Sequence, residues 1–127
     1  MNRLRQRADF LAAASGPRVA TPGFVVQGRW RDDSGPVRAG FTVSKKVGSA
    51  VERNRVRRRL RELVRRDGAP LMQPQCDYVL VGRRAALSRR FDAMGDDLAA
   101  ALRRLDTQLS KRRDSKRATT SVADGTN

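Results

Sequence analysis

Gly48-Ser49-Ala50-Val51-Glu52-Arg53-Asn54-Arg55-Val56-Arg57-Arg58-Arg59-Leu60-Arg61-Glu62-Leu63-Val64-Arg65-Arg66 is the stretch around which the rest of the chain is organised. Ser49 and Glu52 have the spacing of a capping box, which predicts a helix starting at Ala50. Asp67-Gly68-Ala69-Pro70 stops it. At 100° per residue, Val56, Leu60, Leu63 and Val64 share an arc of roughly 100°, enough for a core face. Almost every other position is arginine. Arg57, Arg61 and Arg65 form one ridge beside the apolar arc, and Arg55, Arg58, Arg59 and Arg66 continue around the exposed side. Like charges at this spacing cost an isolated helix ~0.2–0.5 kcal/mol per pair. A merely solvated face mixes its signs. This one points instead to phosphate oxygens, with Asn54 able to hydrogen-bond a base or sugar edge.

Working outward, Ser44-Lys45-Lys46-Val47-Gly48 places two lysines just before the helix N-terminus, itself attractive to anions. Upstream, Phe24, Val26 and Trp30 alternate with Val25, Gln27 and Arg29. Val37, Ala39, Phe41 and Val43 alternate with Arg38, Gly40, Thr42 and Ser44. The turn sequence Asp32-Asp33-Ser34-Gly35-Pro36 between these runs predicts an antiparallel hairpin with one apolar and one polar, basic face. Downstream, Tyr78-Val79-Leu80-Val81 is continuously apolar, as a strand covered on both faces requires. A short helix is expected over residues 7–14, stopped by Gly16-Pro17. A longer one is expected from about Arg90 to Leu109, capped by Ser88, with Phe91, Met94, Leu98, Ala101, Leu102, Leu105 and Leu109 as its apolar stripe. Asp92, Asp96 and Asp97 lie early in it, and Arg103 and Arg104 late, as the helix dipole prefers. From Lys111 to Asn127 no periodicity survives, so this segment reads as a disordered basic and polar tail. The expectation is an α+β domain over residues 1–110, a two-layer α-β sandwich with a small mixed sheet. A βαβ crossover runs from strand 37–46 through the arginine helix to strand 77–82.

Composition narrows the chemistry. The chain has 127 residues, the length of one domain. Its 28 lysines and arginines outnumber 13 acidic residues, a net charge of +15, and such a surplus predicts a polyanionic partner. There is no histidine, which excludes His-based nucleophile pairs and His-ligated metals. The lone Cys76 allows neither an internal disulfide nor a cysteine zinc site, and it fits a reducing cytosol. No apolar run approaches the ~20 residues of a membrane span, and no signal-like segment follows the basic start. The expected localisation is cytoplasmic. Asp32-Asp33 and Asp96-Asp97 are adjacent pairs typical of turns and first helical turns, and no metal site or catalytic residue is assigned to them.

Phe41-Thr42-Val43-Ser44-Lys45-Lys46-Val47-Gly48-Ser49-Ala50-Val51-Glu52-Arg53-Asn54-Arg55-Val56-Arg57-Arg58-Arg59-Leu60-Arg61-Glu62 resembles the signature of the bacterial ribonuclease P protein component. The resemblance extends over most of residues 3–107. It takes in the Asp9-Phe10 helix start, the strand with Phe24 and the Asp77-Tyr78 strand with its following amphipathic helix. It implies a four-stranded sheet and a left-handed βαβ crossover, against the usual right-handed rule. It also implies a subunit of a ribonucleoprotein endonuclease, a hydrolase that removes the 5′ leader from precursor tRNA. One protein would pair with one catalytic RNA. The RNA would hold the catalytic Mg²⁺, so this chain would supply no catalytic residue and bind no cofactor, and no membrane would be involved.

Carried onto this sequence, the resemblance implies RNA contacts by Arg53, Asn54 and Arg55, with Lys45, Lys46, Arg57, Arg58 and Arg61 beside them. It implies a leader-binding cleft that includes Phe10, Val25, Gln27, Arg29, Thr42 and Ser44. Two departures stand in that cleft. Ala13 and Ala14 occupy the turn after Phe10 where many relatives have a second aromatic, and Gln27 stands where tyrosine is common. Stacking is worth ~1–3 kcal/mol per base, so leader contacts are expected to be weaker or differently placed. Phe10 itself reads as either cleft or core. The charge and the arginine helix alone would also suit a ribosomal or RNA-annealing protein. A DNA-binding regulator lacks a partner helix at turn spacing.

Overall fold

The computed structural model describes the backbone of residues 1–125 and the side chains of residues 1–116. In chain order the elements are β1 (Asn2–Arg3), α1 (Arg7–Ala14), β2 (Arg18–Ala20), β3 (Phe24–Trp30), β4 (Arg38–Thr42), α2 (Ala50–Leu63), β5 (Cys76–Gly82) and α3 (Phe91–Gly125). Short 3₁₀ turns at Lys45–Val47, Ala69–Leu71 and Arg84–Leu87 join them, and α2 widens into a single π-helical turn over Val64–Gly68.

The strands form one mixed sheet in the order β1-β4-β5-β3-β2. β5 lies at its centre, parallel to β4 and antiparallel to β3, and α2 is the crossover between the parallel pair. The uninterrupted apolar run of β5 needs cover on both faces, and the central position provides it. This corrects the expected hairpin. β3 and β4 run in opposite directions but are not neighbours, because β5 is inserted between them. Alternation reports which face a side chain occupies and not which strand lies alongside. The sheet also has five strands rather than four, since residues 2–3 pair in parallel with β4 and residues 18–20 pair with β3.

The main core lies between the sheet and the pair α2 and α3. Phe24, Val26, Tyr78 and Leu80 from the sheet meet Val56, Leu60 and Leu63 of α2 and Met94, Leu98, Leu102 and Leu105 of α3, all fully buried. The apolar arc and the apolar stripe read from the sequence are therefore the two helix faces of this core. α1 packs on the opposite face of the sheet with Leu4, Ala13 and Val79 in a smaller cluster. Two expectations for α3 are corrected. Ser88 ends the preceding 3₁₀ turn, and the helix begins at Phe91. The helix also passes Leu109 and continues to Gly125, through most of the segment read as a tail; residues 126–127 of that segment lie outside the described residues. Once a helix is nucleated each further residue adds a hydrogen bond, and Lys111, Arg112, Arg113 and Lys116 have good helix propensity. Lys116 also ties the extension back to the β3–β4 loop, 2.9 Å from Asp32 and over the Trp30 ring.

Candidate nucleic-acid interface

The N-terminus of α2 is built as its sequence predicts. The Ser49 hydroxyl accepts from the Glu52 amide at 3.1 Å, and the Glu52 carboxylate accepts from the Ser49 amide at 3.0 Å. Gly48, at φ 157° and ψ −157°, occupies backbone space essentially reserved for glycine. A Cβ there would come within 2.4 Å of the Glu52 carboxylate. Arg84 donates to the Val47 carbonyl at 2.7 Å and to Glu52 at 3.1 Å. The Ser49 amide, and then Arg84, hold the Glu52 carboxyl below the usual carboxylate range.

The arginines of α2 divide by flank. On the flank toward α3, Arg59 donates to the Arg89 carbonyl and lies 5.7 Å from the Phe91 ring centre. Arg66 lies 4.4 Å from the same ring and pairs with Asp67 and Asp92. These two, read as part of an exposed basic side, are instead ties between helices. On the flank toward β4 and on the outer face the pattern reverses. Among the described residues, no carboxylate lies within ion-pair distance of Arg53, Arg55, Arg57, Arg58 or Arg61, nor of Lys45 or Lys46 on the adjoining 3₁₀ turn. Arg65, on the same ridge, is neutralised by Glu62. Asn54 accepts from Arg57 at 3.0 Å, which fixes that guanidinium on the surface. Arg55, Arg58, Arg61, Asn54 and both lysines are exposed, whereas Arg53 is half-buried, its Nε out of water and without a hydrogen-bond partner. Arg53 therefore does not point wholly outward. It sits one turn before Val56, at the margin of the buried arc.

The other candidate group lies on the α1 face of the sheet and is spread over three cross-strand rows. Thr42, Val81 and Val25 form one row, Gly40, Val79 and Gln27 the next, and Arg38, Asp77 and Arg29 the third. Phe10 seats over the middle row. A Cβ on Gly40 would lie 2.6 Å from its ring, so only glycine lets the ring approach this closely. Phe10 packs against the small cluster yet stays half-buried, so it belongs to both the core and the surface. Val25 and Gln27, expected in the leader-binding cleft, are buried, at 4% and 9% exposure. Both lie on the face that α1 covers. Thr42 and Val81 remain half-buried, and Ser44, beyond the strand end, is exposed. Arg29 stands two rows from Val25, 3.6 Å from Asp9 and 4.0 Å from the fully buried Asp77. Phe10, Val25, Gln27, Arg29 and Thr42 therefore share the α1 face over three rows, with Ser44 beyond the end of β4.

Asp77 reads in the sequence only as the start of its strand, with no role given to its charge. The signal was present, since a carboxylate flanked by Cys76 and Tyr78 in a buried strand must be paired to be tolerated. It accepts from Arg31 and, twice, from Arg38. Among the described residues, no three acidic or cysteine side chains come together as a metal site. The adjacent aspartates diverge. Asp33 pairs with Arg31, Asp32 with Lys116 and Asp97 with Arg89, while Asp96 is exposed. No helix among the described residues is long and apolar enough to cross a membrane.

Comparison with known proteins bears on the family and the fold. The ribonuclease P family profile matches residues 1–106. The ribonuclease P protein component of Gluconacetobacter diazotrophicus is 51% identical over 104 residues, covering 81% of this chain and 90% of that protein. The component from Ruegeria pomeroyi is 50% identical over 105 residues, covering 80% and 84%. Among solved structures, the RNase P protein from Thermotoga maritima superposes with a TM-score of 0.68 at 29% identity, covering 82% of this chain and 97% of that one. The Staphylococcus aureus RNase P protein superposes with a TM-score of 0.66 at 28% identity, covering 81% and 94%. The α+β fold, a mixed sheet with three helices, is thus shared with these solved structures, and the chain belongs to the ribonuclease P protein family.

Proposed function

We propose that this protein is the RNA-binding subunit of a ribonucleoprotein endonuclease that trims the 5′ leader from precursor tRNA in the cytoplasm. The observation that carries this reading is the division of the α2 arginines. Those toward α3 are used by the fold, while Arg53, Arg55, Arg57, Arg58 and Arg61 lack carboxylate partners among the described residues and stand beside Lys45 and Lys46. An unneutralised cationic surface on a rigid, capped helix suits a structured RNA. Phosphates would meet the guanidiniums, and Asn54 could reach a base or sugar edge. One such protein would pair with one catalytic RNA.

Hydrolysis would belong to the RNA partner and the Mg²⁺ it holds. The protein's part is to neutralise phosphates and position the substrate. The leader would run along the α1 face past Phe10, Thr42 and Ser44, with Arg29 further along the same face. Burial of Val25 and Gln27 limits base stacking there. The test is cleavage of a precursor tRNA at low Mg²⁺ by the catalytic RNA alone, the protein alone and both together. Efficient cutting by the pair only is the expected result. A protein that adds nothing to the RNA's activity would overturn the reading and leave a general RNA-binding role.

A further inference from the structure

A groove of about 380 Å³ lies on the α2 side of the sheet edge. Its lining includes the apolar Phe41, Ala39 and Val64 and the basic Arg3, Arg61 and Arg65. We infer that it is a pocket for one unstacked nucleotide of the bound RNA, its base against Phe41 and its phosphate between Arg3 and Arg61. The inference rests on the RNA-binding reading above and adds to it a site away from the helix surface.

Three observations support this occupant. The volume falls within the range of small-ligand pockets, large enough for a flat ring with its sugar and phosphate. The cations match a phosphodiester, since Arg65 is neutralised by Glu62 while Arg3 and Arg61 have no carboxylate within ion-pair distance among the described residues. An aliphatic ligand or an apolar protein segment would leave those two charges unmatched. Third, the sheet edge offers polar groups for a base. The Asn2 amide donates to the Val37 carbonyl and the Leu4 amide to the Ala39 carbonyl, so the N–H and C=O of Arg3 between them face away from β4. An unpaired edge amide and carbonyl at the groove's rim are open to polar contacts with a bound nucleotide.

The groove also continues the basic surface. Arg53, Arg57 and Arg61 form one ridge of α2, and eight residues of helix span about 12 Å along its axis. A strand following that ridge from the helix N-terminus arrives at Arg61, where the groove opens.

The test uses the folded full-length protein and adenosine 5′-monophosphate, followed by amide ¹H–¹⁵N shifts. Saturable shifts are expected at Arg3, Phe41 and Val64, and inorganic phosphate and ribose 5-phosphate should not reproduce them. Phe41→Leu should weaken this binding about tenfold through lost stacking, with Arg3→Gln weakening it less. Shifts confined to residues 45–58, or groove shifts unchanged in both variants, would overturn the inference. So would equal binding of a phosphate-free aryl alcohol, or groove shifts that track protein concentration alone, which would make a second copy the occupant. A separate arm assembles Arg53→Ala/Arg55→Ala with the catalytic RNA. If that RNA fails to discriminate it from the parent while the groove still binds the nucleotide, the helix-surface reading fails and the pocket stands. If assembly is lost in that variant but is unaffected by Phe41→Leu, the pocket fails as an RNA contact and the helix surface stands.

Discussion

Arg38 grips Asp77 across the sheet with both arms of its guanidinium, Nε to Oδ1 at 2.8 Å and Nη2 to Oδ2 at 2.7 Å. Asp77 is fully buried on the central strand, and Arg31 donates to the same carboxylate from the loop after β3. The β3–β4 loop must cross over the end of β5, and the arginines near its two ends both close on one β5 residue. Arg31 further donates to the Pro36 carbonyl at 2.6 Å and to Asp33 at 3.1 Å, so it also braces the loop itself. The pairing raises the Arg38 pKa, with its hydrogen bonds to Asp77 the main cause. Replacing Asp77 by alanine takes the buried acceptor from Arg31 and Arg38 and removes an ion-pair partner of Arg29, leaving Arg38 with Asp9 at 3.4 Å and Arg31 with Asp33. Breaking a buried pair from one side costs about 3–5 kcal/mol. Urea denaturation should show a loss of that order for Asp77→Ala and a smaller one for Asp77→Asn, which still accepts hydrogen bonds. A loss below about 1 kcal/mol for the alanine variant would mean that the loop is held by other contacts.

The two flanks of α2 predict opposite phenotypes for chemically identical substitutions. Arg53→Ala with Arg55→Ala should leave the circular dichroism spectrum and unfolding midpoint near those of the parent, while assembly with the catalytic RNA weakens. If each arginine meets one phosphate, the slope of log affinity against log salt should fall by about two in magnitude. Arg66→Ala should do the reverse, lowering the midpoint through its lost contacts with Phe91, Asp67 and Asp92 while leaving the salt slope alone. Equal effects of both substitutions on RNA affinity would show that total charge, and not the free flank, governs binding.

These flanks mark where the sequence stops being legible. The capping box and the Val56–Leu60–Leu63–Val64 arc depend only on neighbours along one helix, so periodicity reads them correctly. Arg59 and Arg66 look like Arg55 and Arg58 in the sequence. Only the position of Phe91 and Asp92, brought over by α3, distinguishes them. The same limit explains the misplaced hairpin, because β5 enters between β3 and β4 from some forty residues downstream. Val25 and Gln27 carry the alternation of a solvated face, and only the placement of α1 buries them. β1 escaped notice because two residues have no period. The polyanionic partner, by contrast, was legible from charge alone, and the family from the run between Phe41 and Glu62.

Phe10 and Gly40 give a test of whether the α1 face is a rigid platform. A methyl group at residue 40 would collide with the Phe10 ring at 2.6 Å, and the Leu4 Cβ would lie 3.0 Å from it. Overpacking of this kind costs typically ~1–3 kcal/mol. Gly40→Ala alone should therefore lower stability by that amount. Phe10→Ala alone should also lower it, through lost burial, and should reduce leader-dependent affinity for precursor tRNA more than assembly with the catalytic RNA. The double variant should cost less than the sum of the two, because removing the ring removes the clash. Strict additivity in thermal unfolding would show that α1 shifts freely and that Phe10 is not seated on Gly40.

Asp106 sets a pH dependence whose sign is opposite to that of an ordinary paired carboxylate. It faces the buried Tyr78, whose hydroxyl donates to it at 3.2 Å and accepts from the Gln73 amide at 3.0 Å. Burial raises the Asp106 pKa, outweighing the Gln73 and Tyr78 hydrogen bonds that act against it. Burial also pushes the Tyr78 hydroxyl far up, so it remains a donor throughout the neutral range. A carboxyl whose folded pKa exceeds its unfolded value contributes stability that is fully present below the unfolded pKa. That contribution is lost as pH rises through the folded value. Asp106→Asn keeps an oxygen to accept from Tyr78 and removes the titration. The two proteins should therefore have similar urea midpoints in acid, with the asparagine variant pulling ahead as pH rises above the ordinary carboxylate range and holding its lead at neutrality. A gap that does not change with pH would place the ionised Asp106 in water, and a parent more stable at neutral pH would make its charge an asset to the fold. Asp106→Ala separates the hydrogen bond from the charge. It strands the Tyr78 hydroxyl without its acceptor, and relative to Asp106→Asn, which does not titrate either, it should cost about 1–3 kcal/mol at every pH.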